Sequence, residues 1–147
     1  MYKTVIALLL IAAAPQAWAK TCTVAIEAND QMKYDLPEIR LAASCTQVTV
    51  TLKNTGQFAA NVMGHNWVLT RSADFDAVTK GAMAAGLARD FVAAGDARVI
   101  AHTKVVGGGQ STSVTFPASK LKKGGDYTFF CSFPGHWTMM KGKFFFG

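Results

Sequence analysis

The sequence predicts an all-β protein, an eight-stranded β-sandwich with one helix lying outside it. Three observations indicate this fold class. Most of the chain after residue 20 consists of short segments in which apolar and polar residues alternate. Turn residues such as Gly107-Gly-Gly109 separate these segments. A single stretch, residues 74–91, instead repeats its apolar residues at helical spacing. Short alternating strands separated by turns are typical of sandwiches and barrels.

The predicted strands follow from the positions of the apolar residues. Val48, Val50 and Leu52 alternate with outward threonines, so they define one inward face. In the last strand Phe144 and Phe146 fit an inward face, which leaves Phe145 outward and unexplained. The full set of predicted strands is residues 21–28, 39–43, 47–53, 66–70, 97–106, 111–116, 126–131 and 141–146.

The helix predicted over residues 74–91 has a candidate cap and two weak points. Ser72 or Asp74 is suited to capping its first turn. Gly81 and Gly86 each weaken it by up to about 1 kcal/mol relative to alanine. We therefore expect a single helix that becomes irregular toward its end.

The first nineteen residues have the pattern of a secretory signal peptide. Lys3 precedes an apolar run over residues 5–14, and Ala17-Trp-Ala19 matches a cleavage site. The run is too short for a stable membrane anchor. We expect residues 20–147 to form one domain, exported to the periplasm without a membrane anchor.

The charge is positive but dispersed. Fifteen Lys and Arg residues against nine Asp and Glu residues give a formal net charge of +6. The basic residues are scattered, with one small group at Lys120, Lys122 and Lys123. No basic stripe carries interleaved aromatic residues, so nucleic acid is not an expected partner. Dispersed lysines are usually just solvated, although they also steer acidic redox partners.

One short loop supplies three potential metal ligands. Four residues separate Cys131 from His136, and three separate His136 from Met140. A second histidine, His65, lies far upstream beside Gly64. One thiolate, two imidazoles and a thioether are the ligand set of a blue-copper electron-transfer site. Zinc is disfavoured because a thioether is a poor zinc ligand and Cu²⁺ binds more tightly.

Three cysteines in an exported chain indicate one disulfide and one thiol kept for another purpose. A disulfide between Cys22 and Cys45 would stabilise the folded protein by roughly 3 kcal/mol in the chain-entropy model. Either other pairing would consume Cys131, which sits in the ligand loop. A buried, inert thiol is the structural alternative for Cys131.

Several motifs in register resemble the azurin family from about Cys22 to the C-terminus. They are Val62-Met-Gly-His65-Asn-Trp-Val-Leu69, Arg98-Val-Ile-Ala-His-Thr-Lys104, Ser113-Val-Thr-Phe116 and Phe129-Phe-Cys131-Ser-Phe-Pro-Gly-His136. The resemblance implies a Greek-key cupredoxin sandwich with a helical flap, binding one copper ion. It also implies a monomeric electron carrier that is not an enzyme. Its partners would be redox proteins such as c-type cytochromes, nitrite reductase or amine dehydrogenases.

The resemblance also implies roles around the ion. His65, Cys131 and His136 would be strong ligands and Met140 a weak axial one, opposite the Gly64 carbonyl. The Asn66 side chain would bond Ser132, and the backbone amides of Asn66 and Phe133 would point at the Cys131 sulfur. An apolar docking patch would surround the exposed ligand histidine of the loop; we define it as Met32, Phe58, Met63, Phe133, Pro134 and Met139.

Three further positions carry expectations of their own. Asn54 replaces a buried, non-ligand histidine found in many azurins, so pH effects ascribed to that histidine should not be transferred. Trp137 would either enlarge the docking patch or shield His136. His102 has no ligand-like neighbour, and we expect it to face solvent.

Two other functional classes remain open from the sequence. One is a thiol enzyme in which a histidine activates Cys131. This hypothesis does not explain the presence of Gly64-His65 or of Met140. The other is a copper-delivery or storage protein, a class that favours exposed Met- or Cys-rich tracts over one enclosed site.

Overall fold

The computed structural model describes residues 19–147. Except for Ala19, the predicted signal peptide lies outside the described residues, so the signal peptide and the domain boundary after it stay predictions. Nine strands form two sheets: β1 (Thr21–Asn29), β2 (Lys33–Tyr34), β3 (Glu38–Leu41), β4 (Gln47–Asn54), β5 (Val68–Arg71), β6 (Val99–His102), β7 (Ser111–Pro117), β8 (Tyr127–Phe130) and β9 (Lys141–Phe146). The predicted sandwich is confirmed.

The two sheets are mixed. One has the order β2-β1-β4-β7 and the other the order β3-β9-β8-β5-β6. β1 pairs in parallel with β4, and β3 in parallel with β9, whereas the remaining pairs are antiparallel. The predicted disulfide is present and joins Cys22 in β1 to Cys45, just before β4.

Residues 19–147 contain nine strands rather than the predicted eight. The additional strand, β2, has two residues and pairs with the end of β1, where Ala28 faces Tyr34. Two residues are too few to show alternation. The strand predicted over residues 97–106 shortens to β6, because beyond it the Thr103 hydroxyl accepts the Trp67 amide at 2.9 Å.

Aromatic residues fill the space between the sheets. Trp67 is fully buried, and its ring lies 6.2 Å from the rings of both Phe129 and Phe144. Phe145 points outward and remains 37% exposed, with the Arg40 guanidinium 4.0 Å above its ring. This cation–π contact gives the outward phenylalanine a partner.

Helix α2 (Phe75–Ala85) covers the outer face of the second sheet, after the short helix α1 (Ala60–Met63). It ends at Ala85, short of the predicted end at residue 91, because Gly86 adopts a positive φ of 72°. A separate 3₁₀ turn follows over Leu87–Arg89, where the sequence predicted an irregular end of the same helix. Neither predicted cap is used: Asp74 instead pairs with Arg71, and the Ser72 hydroxyl bonds Asp126. Under the helix lies a second apolar cluster, formed by Val68, Val78, Val92 and Phe130. Within residues 19–147, no helix has the length and apolarity needed to cross a membrane.

Candidate metal centre

Neighbouring strands bring distant donor residues to one end of the sandwich. β5 and β8 are paired, with Val68 opposite Phe130. His65 precedes β5 and Cys131 follows β8, so both lie at the same end of this pair. The loop then returns to β9, and it is closed by bonds from the Cys131 amide to the Met140 carbonyl (3.0 Å) and from the Met140 amide to the His136 carbonyl (2.7 Å).

Three donor atoms converge there. The Cys131 Sγ lies 3.9 Å from Nδ1 of His65 and 3.6 Å from Nδ1 of His136. All three donor atoms lie within 4.8 Å of one another, and all three residues are buried. Donors about 2.0–2.3 Å from one ion in a trigonal plane would stand roughly 3.5–4 Å apart. The side chains therefore fit a single metal ion with little movement.

Burial controls the charge of these groups. It raises the pKa of the Cys131 thiol to about 12, although hydrogen bonds from the Asn66 and Phe133 amides oppose this rise. Burial, together with the neighbouring His65, lowers the pKa of His136 to about 4. Burial also lowers the pKa of His65. At neutral pH the group therefore consists of a thiol and two uncharged imidazoles, which offer lone pairs to a cation.

The two ligand segments are linked by a buried pair of side chains. Asn66 Nδ2 donates to Ser132 Oγ at 2.8 Å, and the Ser132 amide donates back to Asn66 Oδ1 at 2.8 Å. Both side chains also donate to the Asp90 carbonyl, each at 2.9 Å. The sequence analysis did not identify Asp90, because a backbone acceptor leaves no signature in the sequence.

Two further groups that hold the site in place were not predicted from the sequence. The Asn29 carbonyl lies 2.9 Å from Nε2 of His65. A carbonyl only accepts, so Nε2 carries the proton and Nδ1 presents its lone pair toward Cys131. The buried Tyr34 hydroxyl donates to the Asn66 carbonyl. Tyr34 lies in the two-residue strand that the sequence did not reveal.

Gly64 occupies a position with no room for a side chain. A Cβ atom there would overlap the Ala60 carbonyl oxygen and approach Val105 Cγ1 to 2.5 Å. The close packing explains why glycine precedes His65. Met140 is 1% exposed and belongs to the main core. The ligand roles of the Gly64 carbonyl and of Met140 stay predictions.

Asn54 forms hydrogen bonds that hold the segment around His65 in place. Its buried amide donates to the Val106 carbonyl at 3.1 Å and to the Met63 carbonyl at 3.4 Å, and it accepts the Gly56 amide at 2.9 Å. An amide side chain does not titrate. These contacts are therefore independent of pH.

The docking-patch residues are unequally exposed. Phe58 and Met139 are 53% and 59% exposed, and the others are half-buried: Met32, Met63, Phe133 and Pro134. The His136 ring lies 4.5 Å from that of Phe133. His136 is 4% exposed, so the ligand histidine expected to be exposed is buried.

Trp137 and His102, the two other positions singled out in the sequence, both lie outside the donor group. Trp137 is half-buried and packs against the second apolar cluster, which lies under helix α2. His102 is half-buried rather than facing solvent, with Nδ1 3.1 Å from the Thr103 carbonyl. It is not part of the donor group.

Comparisons with known proteins agree with this geometry. The family model of copper-binding proteins of the plastocyanin/azurin family matches residues 20–146. The chain belongs to that family. Copper is accordingly its metal, and its chemistry is the electron transfer of a type 1 copper cupredoxin.

Relatives of this family match nearly the whole chain. An azurin of Achromobacter denitrificans is 56% identical over 140 residues, covering 95% of this chain and 94% of that protein. An azurin of Bordetella pertussis is 54% identical over 144 residues, covering 97% and 96%. A solved azurin structure from Methylomonas sp. strain J aligns with a TM-score of 0.83 at 44% identity, covering 86% of this chain and 98% of that one.

Proposed function

We propose that the protein carries single electrons between redox proteins in the periplasm and transforms no substrate. The observation that supports this most strongly is the buried His65, Cys131 and His136 group. Bound copper would supply a centre that changes its charge by one electron. The signal-peptide pattern of residues 1–19 supports the proposed location.

In this proposal His65, Cys131 and His136 are the strong ligands, with Met140 and the Gly64 carbonyl as weak ones. A mixed soft and borderline donor set suits both oxidation states of copper. The Asn66–Ser132 pair holds the two ligand segments in place. Fixed ligands limit the rearrangement that accompanies each electron, which favours fast transfer.

The docking patch is the proposed contact surface for partners. An exposed apolar patch on a small exported protein commonly marks an interaction site. Phe133 is in ring contact with His136 and also belongs to the patch. We propose partners such as c-type cytochromes, nitrite reductase or amine dehydrogenases, with the protein acting as a monomer.

The two alternatives fit the site less well. Cys131 is 0% exposed, so a thiol enzyme would have no access for its substrate. A delivery protein needs ligands from which metal is easily released. Here His65 and Cys131 are both fully buried and hydrogen-bonded to the surrounding chain.

The first test is the visible spectrum after Cu(II) is added to the purified protein. The proposal predicts intense blue colour from thiolate-to-copper charge transfer, and none in Cys131→Ser, because a hydroxyl oxygen is not a soft donor. A colourless parent protein would reject the carrier. A blue Cys131→Ser variant would reject the ligand assignment.

The second test addresses the docking patch. Met63→Lys places a charge in the patch that must be desolvated or held apart in the encounter complex. Electron self-exchange, measured by NMR line broadening on mixed oxidised and reduced samples, should slow by about tenfold or more. Lys122→Glu, at the other end of the molecule, serves as control and should change the rate far less. Equal rates in the parent and Met63→Lys would remove the patch from the mechanism.

A further inference from the structure

A cleft lined by basic residues lies at the end of the sandwich opposite the metal centre. It has a volume of about 350 Å³ and is lined by Arg71, Ala97, Arg98, Ile100, Lys120, Lys122 and Tyr127. β8 runs from Tyr127 in the cleft to Phe130 beside Cys131, so the two sites stand about 13 Å apart along the strand. The electron-carrier proposal assigns this cleft no role.

Its exposed surface is cationic even though two acids lie beside it. Arg71 pairs with Asp74 and Arg98 pairs with Asp96, each at 2.7 Å. In both pairs the carboxylate is the more buried partner: the Arg71 and Asp74 side chains are 67% and 18% exposed, and those of Arg98 and Asp96 are 43% and 9% exposed. The guanidinium groups therefore face the solvent.

Most of these cations are already held in place. The carboxylates fix the two guanidinium groups, and Lys120 Nζ donates to the Ile100 carbonyl at 3.1 Å. The Tyr127 hydroxyl accepts the Lys122 amide at 2.7 Å, which fixes the backbone beside the fourth cation. Pre-positioned donors lose less conformational freedom on binding than free surface lysines do.

The charge balance indicates the class of ligand. The two ion pairs are neutral overall, and Lys120 and Lys122 leave a net charge of +2. Asp126, the residue before Tyr127, accepts hydrogen bonds from Lys143 and Ser72. A phosphate group carries close to two negative charges at neutral pH and several strong acceptor oxygens, which arginine and lysine bind well.

We propose that this cleft binds a phosphate-bearing anion, through Arg71, Arg98, Lys120 and Lys122. The shared chemistry is the phosphoryl oxyanion, whether it belongs to a small soluble phosphate or to an anionic phospholipid headgroup. Because the cleft and the docking patch lie at different ends of the molecule, a bound anion would leave the patch free.

The test uses the full folded protein at 150 mM NaCl. One arm titrates it with pyrophosphate and follows backbone amide shifts by NMR, and the other measures co-sedimentation with vesicles of phosphatidylglycerol or of phosphatidylcholine alone. Saturable shifts confined to the cleft, or sedimentation that requires phosphatidylglycerol, would support the site and identify its source. Weak shifts spread over all lysines, with no sedimentation, would overturn it.

Matched variants make the test specific. Lys120→Gln with Lys122→Gln should weaken the observed binding by tenfold or more. Lys53→Gln with Lys123→Gln removes the same charge from residues that do not line the cleft, and should change the affinity less than twofold. Equal weakening by both pairs would mean attraction by net charge alone and would overturn the proposal. Copper colour should be unchanged in both, so failure here is independent of the electron-carrier proposal.

Discussion

Copper loading of the apo-protein should release one proton per ion at pH 7. The pKa of the Cys131 thiol is about 12, so only about one molecule in 10⁵ holds a thiolate before the metal arrives. The pKa of His136 is about 4, so about one molecule in 10³ holds a charged His136 ring. With the pKa of His65 lowered as well, the thiol supplies essentially the whole proton release.

The sign of the pH dependence follows from the same groups. Below pH 5 the His136 ring begins to protonate in the apo-protein, and a second proton must then leave when copper binds. Proton release should therefore rise above one as the pH falls toward 4, and apparent copper affinity should fall more steeply there.

Calorimetry in buffers of different ionisation enthalpy measures this stoichiometry directly, because the observed heat changes in proportion to the protons taken up by the buffer. Cys131→Ser is the control and should release none. A release near zero in the parent would mean that the apo-protein already holds a thiolate. A release near two at pH 7 would mean that a histidine is charged before binding, and either result would refute the electrostatic argument.

Three further predictions concern the protein around the ion. Met140→Leu should give a blue, copper-loaded protein with a raised reduction potential, because losing a weak donor favours Cu(I); a lowered potential in protein-film voltammetry would contradict the axial role. Cys22→Ala with Cys45→Ala should lower the free energy of unfolding by about 2–4 kcal/mol in chemical denaturation and leave the copper spectrum nearly unchanged. Loss of the spectrum would show that the disulfide and the metal centre are coupled. Gly64→Ala should destabilise the apo-protein by about 1–3 kcal/mol, since the new methyl group overlaps the Ala60 carbonyl; an unchanged thermal midpoint would show that this segment is loosely packed.

Much of the architecture could be predicted because its signals are local. Alternation located the eight longer strands, and helical spacing located α2. The two-residue strand β2 escaped detection, because its existence depends on pairing with β1 rather than on its own pattern. Side-chain chemistry likewise predicted a ligand group at His65, Cys131 and His136. The tertiary structure was needed to show that they converge.

Bonds to backbone carbonyls account for most of what the sequence did not show at the site. The Asn29 and Asp90 carbonyls orient His65, Asn66 and Ser132, yet any residue could supply a carbonyl at those positions. The placement of Trp137 also depended on tertiary packing. Apart from Phe130, the residues of the second apolar cluster lie far from Trp137 in the sequence.

The two histidines of the site differ in their surroundings, and the difference supports the proposal that electrons leave through His136. The outer nitrogen of His65 is bonded to the Asn29 carbonyl inside the protein. Among residues 19–147, the His136 ring has a hydrogen-bond contact only with Cys131, through Nδ1. That ring instead contacts Phe133, which belongs to the docking patch. The bond to Asn29 fixes the His65 ring inside the protein, whereas the His136 ring lies against the proposed docking patch, where we expect a partner to receive the electron. The surface above His136 is therefore where substitutions should alter transfer rates without altering the colour of the protein.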